Sequence, residues 1–188
     1  PEVAFDAGGE EVGLVCFQGT ATVTVDGQAF TVGRYDAMYI PRDSHIAVKT
    51  TSAVDLAELR APVEHTYPLR HIPYAEVVAD PGLHFRTGGP SSSRTLNMLL
   101  AKNVEAGRLM AGVTWSDPGN WTSWPPHEHA DLAEELYVYY DMPPEAFGLQ
   151  LVYTAKLEPE RLEMVRDGGA VFMPGGFLLL LAAVRYKR

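Results

Sequence analysis

The sequence predicts an all-β protein built from two β-barrels in tandem. Short apolar stretches recur along the chain, and 17 glycines and 14 prolines fall largely between them. This pattern is typical of short strands joined by turns. It occurs once before and once after a proline-rich segment. We therefore expect a first barrel over residues 1–60, a connector over 61–95 and a second barrel over 96–188.

The first half contains a strong hairpin signal. Residues 12–19 form an apolar run that indicates a buried strand, and residues 20–25 alternate with the period of two that a half-buried strand requires. Asp26-Gly27 then predicts a tight turn. Further strands are predicted at 28–32, 37–40, 46–50 and 53–59.

The connector interrupts the pattern of predicted strands, and the second half resumes it. Five prolines interrupt the connector, in which we expect only a short helix near residues 74–79. Strands resume beyond it. They are predicted at 95–100, 108–115, 135–140, 147–154, 163–165, 170–173 and 177–184.

Charge and composition restrict the partners. The formal net charge is −9, so we expect neither nucleic acid nor an anionic membrane surface as a partner. An acidic ligand would need a local positive group. Cys16 is the only cysteine and is expected to be a reduced core thiol. We expect a cytoplasmic location, since no signal-peptide layout is present and the longest apolar run, 177–184, is too short to span a bilayer.

The segment most informative about chemistry is GNWTSWPPHEH, followed by EELYVYYDM. On a strand, alternate side chains share a face, so His127 and His129 point the same way and Glu128 points the other way. A following strand would return Glu135 beside them. Two imidazoles and a carboxylate suit zinc, manganese, iron or nickel. The alternative is a pair of partly exposed histidines on an edge strand.

The same segment resembles the metal motif of the cupin superfamily. With AFGLQLVYT, VRDGGAVFMPGG, TATVTVDGQAF and SSSRTLNML, it resembles more specifically the 5-deoxyglucuronate isomerase family of inositol catabolism and its relative, 5-keto-4-deoxyuronate isomerase of pectin breakdown. The resemblance implies a bicupin, two double-stranded β-helix barrels, with one divalent metal in the C-terminal barrel only. Zinc is expected first, with manganese or iron as alternatives. The implied ligands are His127, His129, Glu135 and a later histidine.

The later histidine is missing from this sequence, which reads Gly176-Phe177-Leu178-Leu179 where the family has its fourth ligand. One explanation is that the ligand has been lost and the site is weak. The other, which we favour, is that about ten residues are absent between Gly176 and Phe177, a length typical of a loop. The chain also starts at Pro1 without a methionine and stops at Arg188 directly after a predicted strand, as a piece of a longer chain would.

The N-terminal barrel is expected to bind no metal. His45 occupies the ligand place of the second cupin motif, but no partner histidine precedes it. His65, His71 and His84 are scattered over the connector without ligand spacing, and we assign them no role.

The resemblance implies an aldose–ketose isomerase that converts 5-deoxy-glucuronate to 5-dehydro-2-deoxy-gluconate. Candidate substrate-binding residues are Gln150, Tyr137 and Tyr153, with Tyr139 similar. The general base is left open between Glu134, Glu128 and a pocket tyrosine. The cation for the sugar-acid carboxylate is left open between Arg94, Lys102 and Arg108.

Rival functions remain beside this one. They are 5-keto-4-deoxyuronate isomerase, an iron-dependent cupin dioxygenase, and an inactive or sugar-binding cupin. A homo-oligomer is expected, because edge strands of such barrels commonly pair between subunits.

Overall fold

The computed structural model describes residues 1–127, 129, 132–153, 159–173 and 177–182, with the backbone alone at 153, 159–160 and 177–182. Within these ranges the chain forms seventeen strands and one short helix. The first half contains β1 (Glu2–Asp6), β2 (Glu10–Gln18), β3 (Ala21–Val25), β4 (Gln28–Val32), β5 (Ala37–Ile40), β6 (His45–Lys49), β7 (Asp55–Pro62), β8 (Arg70–Ile72) and α1 (Tyr74–Ala79).

The second half is also built from strands. It contains β9 (His84–Thr87), β10 (Arg94–Leu100), β11 (Ala111–Ser116), β12 (Trp121–His127), β13 (Glu135–Val138), β14 (Gly148–Tyr153), β15 (Pro159–Val165), β16 (Ala170–Met173) and β17 (Phe177–Ala182). The predicted all-β class is therefore confirmed, and so is the helix at Tyr74–Ala79.

Two antiparallel sheets organise the first half, in the strand orders β1-β6-β3-β4 and β7-β2-β5-β8. The predicted hairpin joins β3 to β4. Its two central residues, Asp26 and Gly27, both have positive φ (46° and 85°), which is the geometry that a two-residue hairpin turn favours. The sequence pattern did not predict β1, which pairs with β6, or β8 and β9, which lie within the proline-rich connector.

The core of the first half is apolar. Its fully buried side chains come from strands of both sheets and include Val12, Val23, Met38, Ile40 and Ile46. Cys16 lies in this core as predicted. Burial, and then the charge of Asp36, raise the pKa of its thiol, which keeps the thiol protonated and unreactive.

One carboxylate is buried in the first half. Glu11 is completely inaccessible, and its two oxygens accept hydrogen bonds from the Tyr39 hydroxyl (2.7 Å) and from the backbone N–H groups of Gly107 (2.8 Å), Arg108 (2.6 Å) and Leu109 (2.8 Å). Position 107 requires a glycine for this close approach, because a Cβ there would lie only 2.7 Å from Val63 Cγ1. Glu11 thus fixes the segment before β11 to β2.

The second half has three sheets, in the strand orders β11-β10-β9, β12-β17-β14-β15 and β13-β16. In the four-stranded sheet, Thr122 and Gln150 both lie opposite Leu180, and Gln150 also lies opposite Glu163. Residues directly opposite each other share a face. Thr122 and Gln150 are buried, so this face of the sheet points inward and carries polar side chains.

The chain forms two compact units. The first comprises residues 1–85 and 96–113, and the second comprises 86–95 and 114–188. The two units do not define where each barrel begins. The division into 1–60, 61–95 and 96–188 therefore stays a prediction, and so does the arrangement of two closed barrels. Among the described residues, no helix is long and apolar enough to cross a membrane.

Candidate metal centre

The motif predicted to bind metal lies at an irregular end of β12. Thr122 is paired with Leu180 of β17, but the next pairing joins His127 to Leu178. The longer stretch of β12 forms a bulge, in which Ser123 has a positive φ of 61°. The strand ends at His127, so the expectation that strand alternation continues to His129 is wrong. Bulges of this kind redirect side chains and often lie beside functional sites.

The two histidines nevertheless lie side by side. Their ring centroids are 5.1 Å apart and the ring planes are nearly perpendicular, at 89°. The ring nitrogen Nδ1 of His127 lies 2.9 Å from the carbonyl oxygen of Pro125, to which it can only donate. This hydrogen bond places the ring proton on Nδ1 and leaves Nε2 with a free lone pair, as a metal-binding histidine requires.

Glu135 completes the cluster. It is the first residue of β13 and is held opposite Met173 of β16. Its Oε1 lies 3.1 Å from His129 Nε2. Two buried atoms of this pair, His129 Nε2 and Glu135 Oε2, have no hydrogen-bond partner within the described part of the chain. Buried polar atoms without partners are uncommon in folded proteins and call for an explanation, such as a bound ion.

The donor set fits a divalent cation of the zinc, manganese or iron type. Two imidazoles and one carboxylate are ligands that these ions share, and a cation would satisfy both orphan atoms. Among the described residues, no three histidine, cysteine or carboxylate side chains converge closely enough to form a complete metal site. The assignment of His127, His129 and Glu135 as ligands therefore stays a prediction.

Several expectations lie outside the described residues. These include Glu128 and residues 174–176, which precede the place of the expected fourth ligand. The sequence contains six histidines, none of them after His129. Glu134, the other acidic candidate for the general base, is exposed.

Tyr137 lies next to the cluster. Exposure alternates along residues 135–139, which places Glu135, Tyr137 and Tyr139 on the less exposed face, as predicted. The Tyr137 hydroxyl lies 2.7 Å from Ser123 Oγ. Burial raises the pKa of Tyr137 to about 12. The Ser123 hydrogen bond and the Arg94 charge oppose this rise, while the Glu135 carboxylate adds to it.

Gln150 is buried further inside the same unit. It is completely inaccessible, its Oε1 accepts a hydrogen bond of 2.7 Å from the Tyr139 hydroxyl, and its Nε2 lies 3.5 Å from Met173 Sδ. Burial is the main cause that raises the pKa of Tyr139. Tyr139 and Gln150 thus place hydrogen-bonded polar groups in the interior of the second unit. The side chain of Tyr153 lies outside the described residues, and the substrate-binding roles of Tyr137, Gln150 and Tyr153 stay predictions.

Sequence reasoning missed Ser123 as a member of this neighbourhood. Its hydroxyl reaches Tyr137 because the bulge in β12 changes the direction of the backbone. No local pattern of residues announces such a bulge, since it depends on the pairing of β12 with β17.

Comparison with known proteins gives the chain a family. The model of the KduI/IolB family matches residues 1–187. The chain belongs to the KduI/IolB family. The predicted relationship to the 5-deoxyglucuronate isomerases and their ketol-isomerase relatives is thereby confirmed.

Curated relatives carry two enzyme names. A 5-deoxy-glucuronate isomerase of Geobacillus thermodenitrificans is 30% identical over 158 residues, which cover 80% of this chain and 56% of that protein. A 4-deoxy-L-threo-5-hexosulose-uronate ketol-isomerase of Enterobacter sp. is 31% identical over 142 residues, which cover 72% of this chain and 50% of that protein. The chain thus spans about half the length of these two relatives.

Solved structures show the same fold. An iolb-like protein of Salmonella typhimurium LT2 matches with a TM-score of 0.81 and 22% identity, over 100% of this chain and 81% of the other. An oxalate decarboxylase of Bacillus subtilis matches with a TM-score of 0.62 and 12% identity, over 95% of this chain and 61% of the other. At these identities the likeness concerns the all-β fold alone.

Proposed function

We propose that this member of the KduI/IolB family is an aldose–ketose isomerase that converts 5-deoxy-glucuronate to 5-dehydro-2-deoxy-gluconate and requires a metal. The family match and the printed names of the curated relatives support the reaction class. The pair of orphan atoms, His129 Nε2 and Glu135 Oε2, carries the metal requirement. A nitrogen and a carboxylate oxygen are both ligands for such a cation, and within the described residues neither atom has a hydrogen-bond partner, although His129 Nε2 lies 3.1 Å from the other Glu135 oxygen.

We propose that one divalent cation, zinc first and manganese or iron as alternatives, is held by His127, His129 and Glu135. When bound, such an ion supplies Lewis acidity, which stabilises the negative charge that grows on the sugar oxygen as a carbon-bound proton leaves.

The side chains around the three ligands prepare the site. The Pro125 carbonyl fixes the orientation and tautomer of His127 through its Nδ1. The pairing of Glu135 with Met173 fixes the start of β13, so the carboxylate stays close to His129. The hydrogen-bonded hydroxyls of Ser123 and Tyr137 lie at the same place and can contact the hydroxyl groups of a sugar.

The choice of uronate is a finer proposal. Relatives bear the names of both isomerases, and their identities to this chain are nearly equal. We place 5-deoxy-glucuronate first because TATVTVDGQAF and SSSRTLNML resemble that family, whereas EELYVYYDM alone leans toward its relative. 4-Deoxy-L-threo-5-hexosulose-uronate is the alternative substrate.

The experiment is a coupled assay of the zinc-loaded protein with each uronate. We expect turnover of 5-deoxy-glucuronate, with a kcat/KM at least about tenfold above that for the other sugar, which corresponds to 1.4 kcal/mol. The reverse ratio would assign the alternative substrate. Absence of turnover with both, at full metal occupancy, would contradict the proposal, and oxygen uptake would indicate a dioxygenase.

We also propose three properties of the whole protein. They are the bicupin arrangement of two closed barrels, a homo-oligomer formed through edge strands, and a cytoplasmic location. Light scattering of the purified protein checks the second, and a clean monomer would contradict it.

A further inference from the structure

A sugar acid poses a problem for a protein of this composition. The formal net charge is −9, and the candidate centre itself contains the Glu135 carboxylate. A uronate brings a further negative charge, which needs a cationic partner close to the site. The sequence offers Arg94, Lys102 and Arg108 without a reason to choose between them.

These three residues differ in the compact unit to which they belong. Lys102 and Arg108 belong to the first compact unit, whereas Arg94 belongs to the second, with the candidate centre. Arg94 begins β10. Its Nη2 donates to the carbonyl oxygen of Trp124, in the bulge of β12, at 3.4 Å, and its charge acts on the Tyr137 hydroxyl.

Arg94 also has hydrogen-bonding capacity to spare. Its Nη1 donates to the Ser92 carbonyl oxygen at 3.0 Å, so two backbone carbonyls hold the guanidinium group. A guanidinium has five N–H groups in a planar fork. Within the described ranges, no carboxylate lies within ion-pair distance of Arg94.

Other cations of the second unit are already engaged or lie elsewhere. Arg86 is paired with Asp117 at 2.6 Å, and Arg161 is paired with Glu163. Arg166 lies between β15 and β16, where it approaches the Ala146 carbonyl oxygen. Arg94 is therefore the described cation that combines an unpaired charge with a place beside Tyr137.

Building on the proposed function, we propose that Arg94 binds the carboxylate of the uronate and thereby sets the preference for sugar acids over neutral sugars. The carbonyls of Ser92 and Trp124 orient the guanidinium group, and its remaining N–H groups face the substrate. The residue binds and discriminates; the reacting carbons lie at the His127, His129 and Glu135 end.

The test compares Arg94→Gln and Arg94→Lys with the wild type, and uses Arg161→Gln on β15 as the matched control. Turnover of 5-deoxy-glucuronate is measured beside that of 5-deoxyglucose, which lacks the carboxylate. For Arg94→Gln we expect KM for the uronate to rise by about 10- to 100-fold, with kcat and neutral-sugar turnover nearly unchanged. Arg94→Lys should recover part of the loss because it keeps the charge.

Unchanged KM for the uronate in Arg94→Gln would overturn the proposal. So would equal losses for both sugars, since a structural role would weaken both reactions alike. Zinc content and the melting temperature of each variant are measured in parallel, and both should match the wild type.

Calorimetric titration with glucuronate and with glucose separates this proposal from the proposed function. If the wild type turns over neither sugar, the isomerase assignment fails, yet glucuronate should still bind more tightly than glucose and lose about tenfold in affinity in Arg94→Gln. Equal binding of glucuronate by wild type and variant, or no binding by the wild type, would overturn the role of Arg94.

Discussion

Two glutamates, the fully buried Glu11 and the partly buried Glu135, distinguish the two halves of this molecule. Glu11 in the first unit receives four hydrogen bonds, from one tyrosine hydroxyl and three backbone N–H groups. Glu135 in the second unit lies beside His129 and retains an oxygen with no partner among the described residues. A carboxylate whose hydrogen-bonding capacity is filled by the protein is a structural element. A carboxylate left unfilled next to two imidazoles is prepared for a ligand.

The interiors of the two units differ in the same sense. The first unit contains a core of aliphatic side chains such as Val12, Met38 and Ile40. Inside the second unit lie hydroxyl and amide groups, among them the Tyr139–Gln150 pair. Buried polar groups lower the stability of a protein unless each of them is hydrogen-bonded. We therefore infer that the polar interior of the second unit serves ligand binding at the expense of stability.

The largest effect should come from the candidate ligands. His129→Ala removes one of the two orphan atoms, and we expect kcat/KM to fall by roughly 1000-fold, about 4 kcal/mol of transition-state stabilisation. Steady-state kinetics with 5-deoxy-glucuronate measures this. His65→Ala is the control, since His65 is exposed in the other unit. Comparable losses in both variants would contradict a specific role for His129.

A stability comparison of the two glutamates comes next. Glu11→Ala leaves three backbone N–H groups and a phenol without an acceptor, which we expect to lower the free energy of unfolding by at least about 3 kcal/mol. Glu135→Ala in metal-free protein should change it by less than about 1 kcal/mol, because the ion pair that Glu135 forms with His129 is partly exposed to solvent and therefore screened. Urea denaturation checks both. A larger loss for Glu135→Ala would make Glu135 the structural residue.

The polar pair of the second unit gives a smaller effect. Tyr139→Phe removes the donor to Gln150 Oε1, and we expect a loss of about 1–2 kcal/mol in unfolding free energy. The double variant Tyr139→Phe/Gln150→Leu should recover part of that loss, because the buried amide is then also removed. If the effects of the two substitutions on the free energy of unfolding were additive, the hydrogen bond between Tyr139 and Gln150 would be contradicted.

The smallest effect concerns alkaline pH. Burial, then the hydrogen bond to Glu11 and its negative charge, raise the pKa of Tyr39 above its usual value of 10. The folded state therefore holds the phenolic proton more tightly than the unfolded state does. The stability due to this group is fully present below pH 10 and is lost as the pH rises towards the folded pKa. Unfolding curves between pH 8 and 11 should fall less for Tyr39→Phe than for the wild type; parallel curves would contradict this.

Local patterns predicted the elements that local physics determines. Asp26-Gly27 specifies the hairpin between β3 and β4, and residues 74–79 form the predicted helix although prolines flank them. Alternation along β13 correctly placed Glu135, Tyr137 and Tyr139 on one face. The bulge of β12 could not be predicted, because it is set by pairing with β17, and the contacts of Ser123 with Tyr137 and of Arg94 with Trp124 depend on that bulge. The short strands β8 and β9 offered too few residues for a period to be visible.

We propose above that His127, His129 and Glu135 together hold one divalent cation. The most direct test is elemental analysis of the purified protein after dialysis against trace zinc, manganese and iron, beside the His127→Ala/His129→Ala double variant. We predict about one divalent ion per chain in the wild type, with zinc in excess, and almost none in the double variant. Equal metal content in the two proteins, or a metal-free wild type that still isomerises its substrate, would contradict it.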